Sequence, residues 1–537
     1  MSLRSAFGRP TARGGVRLHR GLAVPLPEGG RLRADRAHPA DAPSAPLVLL
    51  RTPYGRRPLT WLMRLLAERG YQALAVSLRG TGGSSGRFTG WRLHPGDTDA
   101  LLEWLRAQPW FPGAFATWGA SFLGYAQWEM ARRPVPEWRA ALIQDAPPEF
   151  YAGALYRGGA FALGDWLRWA DQTRRVTGGR TDPGTWRGLH ATRAAARRAP
   201  RAAAHLPLDQ ADRAAAGRPI AFFQEWVANS GPGPAWAACD HRANAAHLPP
   251  LVHLAGGWHD VFLPGVLEGY AALRAAGRDV RLLVGPWPHG WGLFTPEYRE
   301  AAFAVLDHAL RGAEAPAPPA VRVFVTGAGG WTDLPDWPGA GAAHRAWHLH
   351  PGGRLDTRPP AAPAPPSRFC YDPADPTPAL GGPVLYGGGA PDSRPLAQRP
   401  DVLTFTGPRL ERGLTARGRL SAAVAVRADG PSADVYARLC DVDPQGAMTH
   451  VSDGIVRLPP AEPGRVRVAE VDMWPLAHRF AAGHRLALLL AGGAFPRYDR
   501  NLGTGRRLGT QMRPVEVEVL HDPVRPSALR LPLTGSE

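Results

Sequence analysis

Between residues 46 and 145 short apolar runs alternate with amphipathic stretches, and this alternation restricts the fold more than any other feature of the chain. Residues 47–50, 73–78, 114–118 and 140–144 read as buried strands, and 61–69, 98–107 and 122–133 as the helices between them. Strands separated by helices require crossover connections, which build a mainly parallel sheet covered on both faces. The pattern stops after Asp145 and resumes at Pro250, with strands at 251–255 and 280–284 and a helix at 266–276. The segment between, 146–249, is rich in Ala, Arg and Trp and reads as a mostly helical insertion. Inserted between two strands of an α/β sheet, it is expected to lie as a cap over their carboxyl ends, where ligands bind in this architecture.

Beyond residue 341 the chain becomes Pro- and Gly-rich, notably at 359–366, and then carries short β-patterned runs at 420–426, 435–439, 466–471, 485–490 and 515–520. Short strands at this spacing imply a β-sandwich or jelly roll. The expected units are therefore 1–145 and 250–345 for the two parts of the α/β core, 146–249 for the helical cap and 346–537 for the jelly roll.

A formal charge of +17 raises the question of nucleic acid or an anionic surface. The sequence contains no lysine, so all 63 basic residues are arginine, spread along the whole chain. The densest run, 187–218 with Arg193, Arg197, Arg198 and Arg201, has no zinc-finger, RNA-recognition or basic-zipper spacing and reads as a solvated helix face. Nucleic acid is not an expected partner. Cys239, Cys370 and Cys440 are far apart and odd in number, which fits buried thiols rather than a disulfide framework. Residues 1–20 lack the apolar middle of a secretory signal, and no run approaches the roughly 20 apolar residues of a membrane span. A soluble, cytoplasmic protein is expected, with a homodimer left open.

The segment Trp118-Gly119-Ala120-Ser121-Phe122-Leu123-Gly124 follows an expected strand and opens an expected helix. A serine on such a sharp turn holds its Oγ exposed above the sheet, with small neighbours where the backbone approaches itself, and the Phe122 N–H points toward a developing oxyanion. Glycine commonly stands two residues after such a serine; here Leu123 takes that place and Gly124 comes third. A nucleophilic serine needs a base, and the base needs a carboxylate to fix its tautomer. In the α/β-hydrolase fold the chain order is serine, acid, histidine, with the partners on loops after later strands. Strand 251–255 leads into Gly256-Gly257-Trp258-His259-Asp260, and strand 280–284 into Gly285-Pro286-Trp287-Pro288-His289. Asp260 and His289 thus occupy the acid and base positions, with His259 the rival histidine. Taken singly, Asp260 could cap a loop and His289 could be an ordinary core or surface histidine; their joint placement favours the triad.

These segments together resemble the cocaine esterase and X-prolyl dipeptidyl-peptidase family of serine hydrolases, the CocE/NonD type, which also includes α-amino acid ester hydrolases. Arg51-Thr52-Pro53-Tyr54-Gly55 is similar to the family's Arg-x-Pro-Tyr segment, and the resemblance implies that the Tyr54 hydroxyl is the second oxyanion donor. The glycine-rich turn from Arg79 to Ser84, Asp97 with Glu103-Trp104, Glu225-Trp226 and Trp236, and Trp331 with Trp337-Pro338 also match in order. Ser77 stands where the family usually has aspartate. Arg399 to Leu403, Asp441-Val442 with Gly446, and His478 with the 482–486 segment resemble the family's jelly roll.

The resemblance implies an α/β-hydrolase with an inserted helical cap and a C-terminal jelly roll, no cofactor, and an acyl-enzyme released to water. Family members that hold a substrate ammonium place acidic residues just after the triad aspartate; here stand Val261, Phe262 and Leu263, so an apolar acyl pocket with Phe262 as an aromatic wall is expected. Phe262 as ordinary core is the other reading. Uncharged acyl esters are the first expectation for substrate, and short peptides, amides or amino-acid esters the second. A silent member that only binds a ligand is the third. No metal site is expected, since the histidines show no ligand spacing.

Overall fold

A computed structural model describes residues 15–177, 186–314, 319–339 and 343–534. Residues 1–14, most of the stretch scanned for a secretory signal, and 178–185 within the helical insertion lie outside the described residues, as does the side chain of Arg187.

The first part of the chain runs β1 (Val16–Pro25), β2 (Arg31–Pro39), β3 (Leu47–Thr52), α1 (Thr60–Glu68), β4 (Gln72–Ser77), α2 (Pro95–Arg106), β5 (Phe115–Ala120), α3 (Phe122–Met130) and β6 (Trp138–Gln144). A small hairpin, β7 (Tyr156–Arg157) and β8 (Ala160–Phe161), leads into α4 (Leu163–Thr177), α5 (Trp186–Ala203), α6 (Ala211–Ala216) and α7 (Ala221–Ala228). The sheet resumes with β9 (Leu251–His259), α8 (Leu263–Ala275), β10 (Asp279–Pro288), α9 (Pro296–Arg311), β11 (Val321–Val325) and β12 (Gly330–Leu334).

These strands form one sheet in the order β1-β2-β4-β3-β5-β6-β9-β10-β11-β12. From β4 to β11 every pairing is parallel, as apolar runs joined by helices require. All six residues of β3 and of β4 are buried, with an apolar cluster on each face of the sheet. The antiparallel pair β1 and β2 was not legible as strands, because β1 is a mostly exposed edge and the buried positions of β2 include Asp35, Arg36 and His38. Asp35 and Arg36 are satisfied by Arg56 and Gln72 at 2.9 and 2.8 Å. Arg56 also donates to Ser77 Oγ at 2.7 Å, so Asp35 supplies a carboxylate beside the position where the family usually has one.

The insertion packs an aromatic cluster onto α3: Phe150, Trp166, Trp169 and Trp226 meet Trp91 and Phe122. On α5 the alanines Ala195, Ala199, Ala202 and Ala203 face inward while Arg193, Arg197 and Arg201 stay exposed; Arg198 pairs with Asp171 at 3.1 Å. The arginine run is therefore an amphipathic helix face.

The C-terminal unit, a jelly-roll β-sandwich, has strands from Ala343–His350 to Ala528–Leu533 in an 11-stranded sheet. Leu414–Ala428 and Val466–Phe480 form its longest antiparallel pair. Cys239 and Cys440 are buried as expected, but Cys370 is exposed, because it occupies an outward position of an edge strand whose burial alternates.

Candidate active site

Ser121 sits at the turn between β5 and α3 with φ 59° and ψ −127°, a left-handed conformation that costs on the order of 1–3 kcal/mol in a non-glycine residue. The turn is held from below by the Ser121 N–H, which donates to the Gln144 carbonyl at the end of β6 at 2.8 Å. The altered glycine spacing has a steric reason. A Cβ on Gly119 would stand 2.4 Å from Leu123 Cβ, and one on Gly124 would stand 2.6 Å from Ala146 Cβ. Gly119 thus makes room for Leu123, and Gly124 lets α3 lie against the chain leaving β6. Phe122 is the first residue of α3, so its N–H belongs to the first turn, which has no intrahelical acceptor and carries the positive end of the helix dipole.

β9 and β10 run parallel, with His259 opposite Pro288, and their ends bring Asp260 and His289 together. His289 Nδ1 lies 2.5 Å from Asp260 Oδ2. A donating Nδ1–H leaves Nε2 as the acceptor, the tautomer a base requires. Asp260 is fully buried; its Oδ1 accepts from the Phe262 N–H at 2.5 Å, and its carbonyl accepts from Trp474 Nε1 of the jelly roll at 3.3 Å. Burial pushes the His289 imidazole down, but the charge and hydrogen bond of Asp260, helped by Asp145 and Asp165, outweigh it, and the net shift is upward from 6.5. The rival His259 instead lines a cavity of ≈ 280 Å³ between the two sheets, among Trp258, Asp441, His450, His478 and His484.

Tyr54 follows β3, and its hydroxyl accepts from Trp169 Nε1 of α4 at 3.0 Å. Burial pushes this phenol up to about 12 despite hydrogen bonding with Trp169 and Ser121, so it is a neutral donor near neutral pH. Arg51, on the same strand, donates from Nη1 to Glu129 Oε2 at 2.9 Å and to the Ala126 carbonyl at 3.0 Å, which ties the Tyr54 loop to α3. Arg79 Nε reaches the Asp97 carboxylate at 3.0 and 3.1 Å, joining two of the segments singled out in the sequence. Phe262 is fully buried, its ring edge on His289 with centroids 5.4 Å apart and its other contacts on Trp91 and Trp166.

Several groups at the site went unnoticed in the sequence. Asp145, directly after β6, and Asp165, in the first turn of α4, are both buried carboxylates. Burial lifts the Asp165 carboxyl to about 6, opposed by the Leu385 N–H, Arg497, His289 and Arg168. Tyr386 of the C-terminal unit donates to Gln172 Oε1 at 2.9 Å and carries Arg168 over its ring. One ligand-capable atom from each of Asp145, Asp260 and His289 lies within 4.8 Å of the others, a spacing that could hold a cation, although His289 Nδ1 and Asp260 Oδ2 already face each other. No helix among the described residues is long and apolar enough to cross a membrane.

Residues 28–291 match the X-Pro dipeptidyl-peptidase (S15 family) domain, and residues 314–529 match the X-Pro dipeptidyl-peptidase C-terminal non-catalytic domain. The chain is 29% identical to a cocaine esterase of Rhodococcus sp. (strain MB1 Bresler) over 95% of this chain and 98% of that protein. It is 23% identical to a putative serine esterase of Mycobacterium bovis over 90% of this chain and 93% of the other. In fold it is similar to an aminopeptidase from a marine sediment archaeon, Thaumarchaeota archaeon, with a TM-score of 0.85 at 22% identity over 98% of each chain. It is likewise similar to an α-amino acid ester hydrolase, with a TM-score of 0.80 at 21% identity over 98% of each chain. With both domains matched in order along one α/β-hydrolase core and one jelly roll, the chain belongs to the cocaine esterase and X-Pro dipeptidyl-peptidase family of hydrolases.

Proposed function

We propose that this hydrolase cleaves uncharged acyl esters through an acyl-enzyme on Ser121, with His289 as base and Asp260 as the acid that orients it. The observation that carries the reading is the His289 to Asp260 contact at 2.5 Å at the strand ends beside the strained Ser121 turn. His289 Nε2 takes the Ser121 proton as Oγ attacks the carbonyl carbon, and the Phe122 N–H and Tyr54 O–H receive the oxyanion. The imidazolium then protonates the leaving alcohol, and water repeats the sequence on the acyl-enzyme to release the acid.

The acyl preference rests on Val261, Phe262 and Leu263, which follow the acid and are all buried and apolar. Phe262 contributes as the surface beneath His289 and next to Trp166 rather than as an open face. The helical segment 146–249 serves as the cap, because Trp169 both contacts Tyr54 and belongs to the insertion's aromatic cluster.

Substrates with a free amino terminus are a second reading, favoured by one observation: the Asp165 carboxylate is buried near enough to His289 to affect its charge. A panel of p-nitrophenyl acyl esters, amino-acid anilides and dipeptidyl-proline anilides separates the two. Ester turnover lost by a factor of about 10⁴ or more in Ser121→Ala supports the first reading. Turnover confined to amino-terminal substrates replaces it with the second, and turnover that survives Ser121→Ala overturns the nucleophile.

A further inference from the structure

The parallel sheet delivers a carboxylate to His289 from two neighbouring strands, and the triad uses only one of them. β6 and β9 are adjacent, with Gln144 opposite Ala255. Asp260 follows the end of β9, while Asp145 follows the end of β6 and is fully buried. Asp145 is held in the left-handed region with φ 48°, where a residue with a side chain seldom sits. That backbone conformation is locked by its own N–H, which donates to the Ala255 carbonyl at 2.8 Å.

The side chain is only half satisfied. Asp145 Oδ2 accepts from the Gly290 N–H and from Gln144 Nε2, both at 2.8 Å. Asp145 Oδ1 is buried and has no hydrogen-bond partner among the described residues. Gly290 is the residue after the base, and Gln144 is the residue whose carbonyl holds the Ser121 N–H. Asp145 therefore touches the backbone of the base directly and that of the nucleophile through one neighbour. A residue needed only to cap the Gly290 turn would not have to be an acid within 4.8 Å of both Asp260 and His289.

We propose that Asp145 is a second acid for His289: a positioning residue that holds a proton beside the Asp260–His289 pair and sets the pH at which the base becomes free. Two carboxylates this close, out of water, do not both ionise beside a neutral imidazole without a large penalty. Burial, then the charge of Asp260, lifts the Asp145 carboxyl to about 8, while His289 and the Gly290 N–H oppose the shift. Other titratable and charged groups facing the cluster are Asp165 from α4, itself under the charges of Arg497 and Arg168, and the Tyr298 phenol from α9. The last proton to leave the cluster is shared between Asp145 and His289, so their titrations belong to the pair rather than to either residue. Only O–H and N–H bonds change, and the proton lost at high pH goes to solvent.

The inference rests on His289 acting as base for Ser121. It is tested by the pH dependence of kcat/KM on a p-nitrophenyl acyl ester for wild type, Asp145→Asn and Asp145→Ala. Asparagine keeps a carbonyl for the Gly290 N–H and removes the charge. Its acid limb is expected to move about 1 unit to lower pH and to follow a single ionisation, because the form with an ionised Asp145 beside the imidazolium, one of the two that share the last proton, no longer exists. Alanine is expected to show the same move together with a lower plateau. An Asp145→Asn limb that stays at the wild-type pH, whatever the plateau does, reduces Asp145 to a turn cap and overturns the inference alone. Activity surviving in Ser121→Ala would instead overturn the reading on which it rests. Should neither Asp145 variant fold, the low-field imidazole proton of wild type decides: two coupled steps on titration support the shared proton, and one step overturns it.

Discussion

The two sheets of this molecule treat their charged groups in opposite ways. In the N-terminal sheet β3, β5, β6, β9 and β10 run the same direction, so the residues after each strand gather at one edge: Tyr54, Ser121, Asp145, Asp260 and His289. In the antiparallel C-terminal sheet successive strand ends point apart, and most of its buried charges are consumed in pairs, Arg438, whose Nε and Nη2 have no hydrogen-bond partner among the described residues, being an exception. Arg457 binds Asp434 at 2.8 Å and Asp499 at 2.9 Å, Arg497 chelates Asp453 at 2.9 and 2.7 Å, and Asp441 is shared by His478 at 3.1 Å and His484 at 2.9 Å. Such pairs fix a fold, because losing one partner strands a buried charge. The parallel edge instead leaves capacity open, as at Ser121 and at Asp145 Oδ1, and open capacity is where a substrate or a proton can be taken up. The jelly roll meets that region through supporting contacts, among them Trp474 on the Asp260 carbonyl, the Leu385 N–H on Asp165 at 3.1 Å, Tyr386 on Gln172 at 2.9 Å, and His478 with Thr326 at 2.8 Å.

If the edge is the reactive region, the largest effect short of losing a member of the proposed triad falls on Tyr54. Tyr54→Phe keeps the ring among its neighbours and removes only the hydroxyl between Trp169 and Ser121. Loss of one oxyanion donor is expected to lower kcat by about 10²–10³ while the melting temperature stays close to wild type. A kcat within a few-fold of wild type would make Tyr54 a packing residue and break the contrast at its strongest point.

A smaller effect is expected from pH alone. As the proposed base, His289 has to be neutral to accept the Ser121 proton, and its imidazole is shifted upward from 6.5. The rate should therefore rise with pH through a point above that value and fall about tenfold per unit below it. An acid limb below 6.5 would mean that burial dominates over Asp260, and the open edge would then be less polar than its carboxylates suggest.

The sequence made the parallel edge legible because buried strands in a βα repeat are plain apolar runs, and because strand order alone brings Asp260 and His289 after Ser121. The same reading failed where a strand has no apolar run. β1 is an exposed edge, and β2 buries Asp35 and Arg36 against partners supplied by residues 56 and 72. It also failed where function depends on contacts across long sequence separations. Nothing near Asp145 announces that it meets Gly290, and nothing near Asp165 announces Leu385. Phe262 shows a third limit: the letter after the acid does not announce that its ring is fully buried, edge-on to His289.

The smallest effect tests whether the jelly roll is purely support. Trp474 Nε1 donates to the Asp260 carbonyl at 3.3 Å, a long hydrogen bond to the backbone of the acid rather than to its carboxylate. Arg157 and Arg497 both lie over its ring, so the aromatic body is held independently of the N–H. Trp474→Phe keeps an aromatic ring there and deletes the donor. A neutral hydrogen bond contributes about 1 kcal/mol net, so kcat is expected to fall by roughly fivefold at most, through a slightly looser Asp260. KM and the acid limb should stay in place, because neither Tyr54 nor the Asp260–His289 contact is touched. A loss as large as that of Tyr54→Phe would mean that the C-terminal sheet shapes the reacting geometry itself, and the division between a reactive edge and a supporting sandwich would fail.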